Sequence, residues 1–272
     1  GHSLSASVIA GEGATMQRDY GWHSAHHLAD LESTADIGTR AGTRAVARLN
    51  PGKAPNGKLP VLLDPRVSGG IVGHLLGAIA GPAIARGTSF LLGKEDQMLF
   101  DSSIVIRDEP HRPRGLRSRA FDGEGLPTAA RNLVEGGKIT GWLLDTASAK
   151  QLGLAPTGHA SRGGGASGVG ASNLHLAAGG MTPAALIADI AEGVYITELI
   201  GQGVNPVTGD YSRGASGFLI RDGQIAGPIA EFTIAGNLVD MFAALVPAND
   251  LEFRHGTNAP TLRIDGMTVA SS

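Results

Sequence analysis

The sequence predicts an α+β fold with an antiparallel β-rich core and several packed helices. Three features predict it: helical apolar spacing early in the chain, three glycine-centred turns between strand-like runs later, and one well-capped helix among those turns.

Leu28, Leu31, Ile37, Val46 and Leu49 recur at loosely helical spacing, and Asn50-Pro51-Gly52 stops the pattern. A helix is expected over residues 24–49, with Gly38 as the place for a break. Leu59 to Leu63 is a short apolar run suited to a buried strand, and Asp64-Pro65 turns it into an apolar helix over residues 68–86. Three hairpins are then expected, because a two-residue glycine turn supplies the positive φ that a type I′ turn demands. They span residues 132–144 around Gly136-Gly137, 217–233 around Asp222-Gly223, and 261–269 around Asp265-Gly266. Between them, Thr182-Pro183 is a helix start, and Leu186, Ile187, Ile190 and Val194 form its apolar stripe.

At 272 residues the chain has the length for a sizeable core. The opening Gly1-His2-Ser3 reads as a tag remnant, leaving residues 4–272 as the native part, helix-rich over about 20–100 and β-rich over about 101–272. A formal net charge of -3 offers no long-range attraction to nucleic acid or an anionic membrane. The absence of cysteine excludes disulfides, thiolate nucleophiles and Cys-ligated metals, and is compatible with a cytoplasmic setting. The longest apolar run, residues 71–85, is interrupted by Gly73, His74, Gly77, Gly81 and Pro82 and is shorter than the roughly 20 residues of a membrane span. The tract Arg162 to Ser172 is low in complexity and reads either as a mobile surface loop or as a loop that orders over a peptide.

A zinc-peptidase helix carries His-Glu-x-x-His, or a form with one more spacer, so that two imidazoles share a face and the glutamate acts as base. Counted from His74, the required positions hold Leu75, Ala78 and Ile79, so His74 reads as a core or interface histidine. His23, His26 and His27 gather at an expected helix start, with a metal reading through Asp30 set against simple solvation. Arg107, Arg112, Arg114, Arg117 and Arg119 have Asp108, Glu109, Asp122 and Glu124 close by to neutralise them. Asp122 and Glu124 read either as turn formers or as an acid/base pair. A dinucleotide loop fails because Pro206 stands where GxGxxG needs glycine, and Gly214-Ala215-Ser216-Gly217 is not the G-x-S-x-G elbow. The densest pattern remains: Gly201, Gly203, Asn205, Thr208, Gly209, Asp210 and Ser212 lead into a hairpin whose far strand ends at Gly236 and Asn237. Such residues make either a merely tight turn or a hydrogen-bonded sheet end that leaves backbone groups free for an extended peptide.

The segment VNPVTGDYSRGASGFLIRDGQIAGPIAEFTIAGN closely resembles the C-terminal signature of the TldD/PmbA family. Thr88-Ser89-Phe90-Leu91, Phe121-Asp122-Gly123-Glu124-Gly125-Leu126-Pro127-Thr128, Thr157-Gly158-His159-Ala160-Ser161-Arg162 and Ser172-Asn173-Leu174 extend the resemblance over nearly the whole chain, in order. The family's N-terminal domain is not represented. The resemblance is to the PmbA/TldE branch, because the TldD branch carries His-Glu-x-x-x-His and a metal-ligating cysteine. It implies a non-catalytic subunit with no metal or cofactor of its own, paired with a zinc-bearing TldD-type subunit in a cytoplasmic peptidase for unfolded peptides. Self-association is the other pairing open to the fragment. A divergent hydrolase built on His74, Asp122, Glu124 or the His23 cluster, and a binding module acting on DNA gyrase, are the alternatives.

Overall fold

The computed structural model describes residues 1–163, 168–201 and 203–271. Strands β1 (His2–Ala10) and β2 (Gln17–Ala25) form an antiparallel hairpin in continuous register from His2↔Ala25 to Ala10↔Gln17. Helix α1 (Thr34–Ala47) lies across it. The Ser33 hydroxyl accepts from the Asp36 N–H and caps α1, whose buried face is Ile37, Ala41 and Ala45. The approach is close: a Cβ on Gly21 would lie 2.8 Å from the Ile37 carbonyl oxygen.

This corrects the expectation of a helix over residues 24–49. The helix begins ten residues later and runs through Gly38 unbroken, while His23 and Ala25 belong to a strand. His26 and His27 lie before a short 3-10 turn, so the four-residue spacing of His23 and His27 does not put them on one helix face.

Strand β3 (Gly57–Leu63) leads into α2 (Pro65–Ala78) and α3 (Gly81–Ala85). Asp64 caps α2 through the Arg66 N–H. The single helix expected over residues 68–86 divides because Ala80 bridges to Leu143 and the Gly81 N–H donates to the Leu143 carbonyl. Next come β4 (Ile106–Asp108), β5 (Arg131–Glu135), β6 (Lys138–Ile139), α4 (Thr146–Leu152), β7 (Ala160–Ser161), β8 (Gly168–Val169), β9 (Leu174–Leu176) and α5 (Pro183–Ile187). Residues 164–167 of the low-complexity tract lie outside the described residues. Helix α5 stops before Val194, since the carbonyls of Ile190 and Ala191 accept from Gly223 and Asp222 of a distant turn.

The remaining elements are β10 (Glu192–Ile200), β11 (Asp210–Arg221), β12 (Gln224–Asn237), α6 (Leu238–Ala243), β13 (Leu245–Pro247), β14 (Thr257–Asn258) and β15 (Leu262–Ser271). The main sheet runs β12-β11-β10-β3-β15-β13, and β12 also pairs with β15. Five strands therefore close on themselves, which removes the edges an open sheet would expose. Only β3–β10 is parallel in this sheet. A second sheet has the order β14-β9-β4-β5-β6. The chain is thus α+β, with antiparallel-rich sheets and several helices.

Two of the expected hairpins form. Asp222 and Gly223 have φ of 49° and 74°, and Gly136 and Gly137 have φ of 56° and 77°, as type I′ turns require. The third is corrected: residues 262–271 are one strand, and Asp265-Gly266 is a one-residue bulge against β3, between Ile264↔Val61 and Met267↔Leu59. Gly266 keeps the positive φ of 79° that the sequence signalled, but the conformation serves a bulge.

Val61 and Leu63 pack into the main core with α2 residues Ile71 and Leu75, while Leu62 joins a second cluster with Leu186, Ile187, Ile190 and Ile220. The two-residue period of β3 thus ties both cores to one strand. Each such buried side chain stabilises the fold by about 1.5–3 kcal/mol. Among the described residues, no helix is long and apolar enough to cross a membrane.

Candidate functional site

The residues singled out between Gly201 and Asn237 form one hydrogen-bonded bracket where β11 begins and β12 ends. Asn205 accepts through Oδ1 from the N–H groups of Val207 and Thr208, at 2.9 and 3.3 Å. The Thr208 hydroxyl donates to Asp210 Oδ2 at 2.6 Å. From the far strand, the Asn237 amide donates to the Thr208 carbonyl at 2.9 Å and to Asp210 Oδ1 at 3.2 Å, while its Oδ1 caps α6 through the Val239 N–H. The hydrogen bond from Thr208, and then that from Asn237, hold the Asp210 carboxyl below its usual range.

The glycines have defined steric roles. Gly209 takes a φ of 80° and packs against the Phe90 ring, while the Phe90 N–H donates to the Pro206 carbonyl. At Gly203, any Cβ would be driven into the Ser212 carbonyl oxygen, where the Ser212 N–H donates to the Gly203 carbonyl at 2.7 Å. Gly201 has a φ of 79°, and Gly236 lies opposite Tyr211. The bracket is a tight turn network whose outer residues, Asn205, Thr208, Asp210 and Ser212, remain exposed.

His74 is brought to this bracket. Its ring meets Tyr211 edge-on, with centroids 5.7 Å apart at 74°. Burial, followed by the charge of Arg213, lowers the His74 pKa and keeps the imidazole neutral at pH 7. Burial pushes the Tyr211 phenol up to about 12, against the opposing charge of Arg213. The Tyr211 hydroxyl and Arg213 Nε are both buried without a hydrogen-bond partner among the described residues. Tyr211 and Arg213 were missed as site residues by the sequence reading, although their i,i+2 spacing on β11 puts them on one face. Leu75, Ala78 and Ile79, which stand where a zinc helix needs ligands, are buried in the core. Together His74, Tyr211 and Arg213 offer hydrogen-bonding groups and no carboxylate.

Asp122 and Glu124 lie in a different network. Asp122 is buried and accepts from the N–H groups of Glu124, Leu126 and Ala160. Burial opposes its charge, but those three donors and Arg119 outweigh it and lower the carboxyl pKa. Glu124 instead accepts from the Thr146 N–H and hydroxyl. Their carboxylates serve two separate turns. The same region holds His159, 3.3 Å from Asp108 Oδ2, with Ser172 donating twice to Asp108 Oδ1. Thus the motifs around Asp122, His159 and Ser172 are cross-linked into one buried scaffold.

In the arginine run, Arg107 and Arg112 pair with Glu109 and Arg114 with Asp30, while Arg119 donates to the Gly170 carbonyl. Among the described residues, no group of three or more His, Asp or Glu is placed to hold a metal ion.

Residues 56–271 match the PmbA/TldA metallopeptidase C-terminal domain, and residues 1–49 match the central domain of the same proteins. Metalloprotease PmbA of Escherichia coli O157:H7 is 38% identical over 270 residues, covering 99% of this chain and 58% of that protein. A Haemophilus influenzae PmbA homologue is 38% identical over all of this chain and 59% of its own length. A Bacteroides thetaiotaomicron crystal structure named for modulation of DNA gyrase superposes with a TM-score of 0.90 at 30% identity, covering 99% of this chain and 60% of that one. The chain therefore spans under two thirds of the length of these relatives, and by domain match and identity alike it belongs to the PmbA/TldA metallopeptidase family, the TldD/PmbA family that its motifs resemble.

Proposed function

We propose that this chain is the central and C-terminal part of a non-catalytic, PmbA/TldE-type subunit that helps a zinc-bearing TldD-type partner to degrade or trim unfolded peptides in the cytoplasm. The observation that carries this reading is the composition of the α2 face at the bracket. His74 meets Tyr211 there with no metal-ligand cluster among the described residues, and the ligand positions counted from it are occupied by buried Leu75, Ala78 and Ile79. A neutral imidazole without a carboxylate neighbour lacks both the second ligand and the base of a zinc peptidase.

The bracket from Gly201 to Asn237 supports a peptide-path or subunit-contact role. The side chains of Asn205, Thr208, Asp210 and Asn237 hydrogen-bond to one another and to nearby backbone, while Asn205, Thr208 and Asp210 present an exposed rim. Preorganised turns of this kind cost little further entropy when an extended chain docks beside them.

Elemental analysis of the purified full-length protein tests the reading. Well under one zinc per chain, with no peptide cleavage, is expected. One tightly held zinc per chain, whose chelation abolishes cleavage, would overturn it.

A further inference from the structure

A cavity of about 540 Å³ lies where the hairpin and α1 meet the closed sheet, between the segments that match the central and C-terminal domains. Clefts between such units are favoured places for small ligands. This one is remote in content from the bracket: it holds four arginines, three acids and the rings of Tyr20, Trp22, Tyr195 and His255, the last packed on Trp22 with centroids 4.5 Å apart.

Among the described residues, most of the charges there are paired with one another. Arg40 grips Glu32 at 3.2 and 2.6 Å, and Arg254 reaches Glu32 at 2.6 Å and Glu252 at 2.5 Å. Arg66 joins Asp19 at 2.8 Å and Asp64 at 3.2 Å. Asp64 accepts further from the Tyr195 hydroxyl, and Asp250 accepts from the N–H and hydroxyl of Thr261. Arg44, in the last turn of α1, lines the same space half-buried, and no carboxylate of the described residues lies within the 4.0 Å of an ion pair. Burial, and next the charge of Arg66, lower its pKa, while the charges of Asp64 and Asp19 oppose them. A partly desolvated cation without a partner is costly unless an anion completes it.

We infer that this cavity binds a singly charged carboxylate carrying an apolar or aromatic body, with Arg44 as its ion-pair partner and Trp22 and Tyr20 as its wall. The Arg44 guanidinium matches one carboxylate through two parallel N–H donors. A phosphate dianion fits worse, because Asp64, Asp250 and Glu252 line the same space and repel a second charge. The terminal residue of a peptide and a free N-acylated amino acid share this chemistry. The inference goes beyond the subunit role and does not rest on it.

The test uses the full-length protein, without any partner, and reads Trp22 fluorescence and calorimetric titration. The ligands are N-acetyl-phenylalanine, a tetrapeptide ending in Phe as free acid, the same tetrapeptide as C-terminal amide, and inorganic phosphate. The free acids are expected to bind at least tenfold more tightly than the amide. Arg44→Gln removes that preference, Arg44→Lys keeps part of it, and Trp22→Phe abolishes the optical change without abolishing the heat. Tighter binding of the tetrapeptide acid than of the acylated amino acid assigns a peptide end, and the reverse assigns a small metabolite. Equal affinity for acid and amide, an unaffected Arg44→Gln variant, no binding of either acid, or tighter binding of phosphate overturns the inference. Among the described residues Arg44 makes no hydrogen bond or ion pair that its replacement would break, and a circular-dichroism melt confirms the fold of each variant. Failure here leaves the zinc analysis of the subunit role untouched.

Discussion

Replacement of Asn237 separates two roles held by one side chain. In Asn237→Ala, α6 loses its cap, worth about 1 kcal/mol, and the bracket loses the two amide donations to Thr208 and Asp210. Those two bonds are exposed to water and add little, so the loss is about 1 kcal/mol from the cap. It corresponds to a melting shift of about 2–4 °C for a chain of this size. Asn237→Asp keeps the cap but faces a second carboxylate toward Asp210 where an amide donated at 3.2 Å. One carboxyl of the new pair then titrates above its ordinary range. Its penalty is full at pH 7 and is relieved as pH falls through that raised folded value, because the destabilising species is the charged one. Thermal melts of both variants at pH 7 and pH 5 provide the assay. The reasoning is refuted if Asn237→Ala melts within 1 °C of the parent, or if Asn237→Asp matches the parent at pH 7.

Gly203→Ala drives a methyl group into the Ser212 carbonyl and should destabilise by about 1–3 kcal/mol, seen as a lower urea midpoint. Tyr211→Phe removes a buried hydroxyl that has no well-formed hydrogen bond among the described residues, so its melting temperature should equal or exceed the parent's. The Glu32 carboxyl is held at about 2, chiefly by Arg40 against desolvation, with Arg254 adding to it. Its folded value is depressed, so the contribution is present above the unfolded value near 4.5 and is lost as pH falls toward 2. Solvent screening at this part-exposed site brings it to about 0.2–1 kcal/mol. Glu32→Gln should therefore flatten the stability profile between pH 4.5 and 2, as read by urea denaturation at each pH.

What could be read without coordinates was local chemistry. Asp222-Gly223 and Gly136-Gly137 specify their turns through backbone angles that few other residues adopt, and Thr182 caps a helix where its hydroxyl predicts. Asp265-Gly266 carries the same signal, yet whether a positive-φ glycine ends a strand or bulges it depends on β3, some 200 residues away. The β1–β2 hairpin was hidden because its faces are half-exposed, so apolar periodicity is weak there, and its last residues were absorbed into a helical pattern. Closure of β12 onto β15 is likewise a pairing between distant segments. At the site, the spacing of small and capping residues located the bracket. The contact between His74 and Tyr211 joins α2 to β11, and nothing local announces it. Asp122 and Glu124 stand two residues apart, but their three-donor and Thr146 networks point them to different tasks.

The subunit role is tested most directly by peptidase assay of the full-length protein on an unfolded peptide, alone and mixed with a TldD-type partner, with metal quantified in each sample. Cleavage in the mixture only, with zinc tracking the partner, is the predicted result. Cleavage by the lone protein with zinc bound to it would contradict the account.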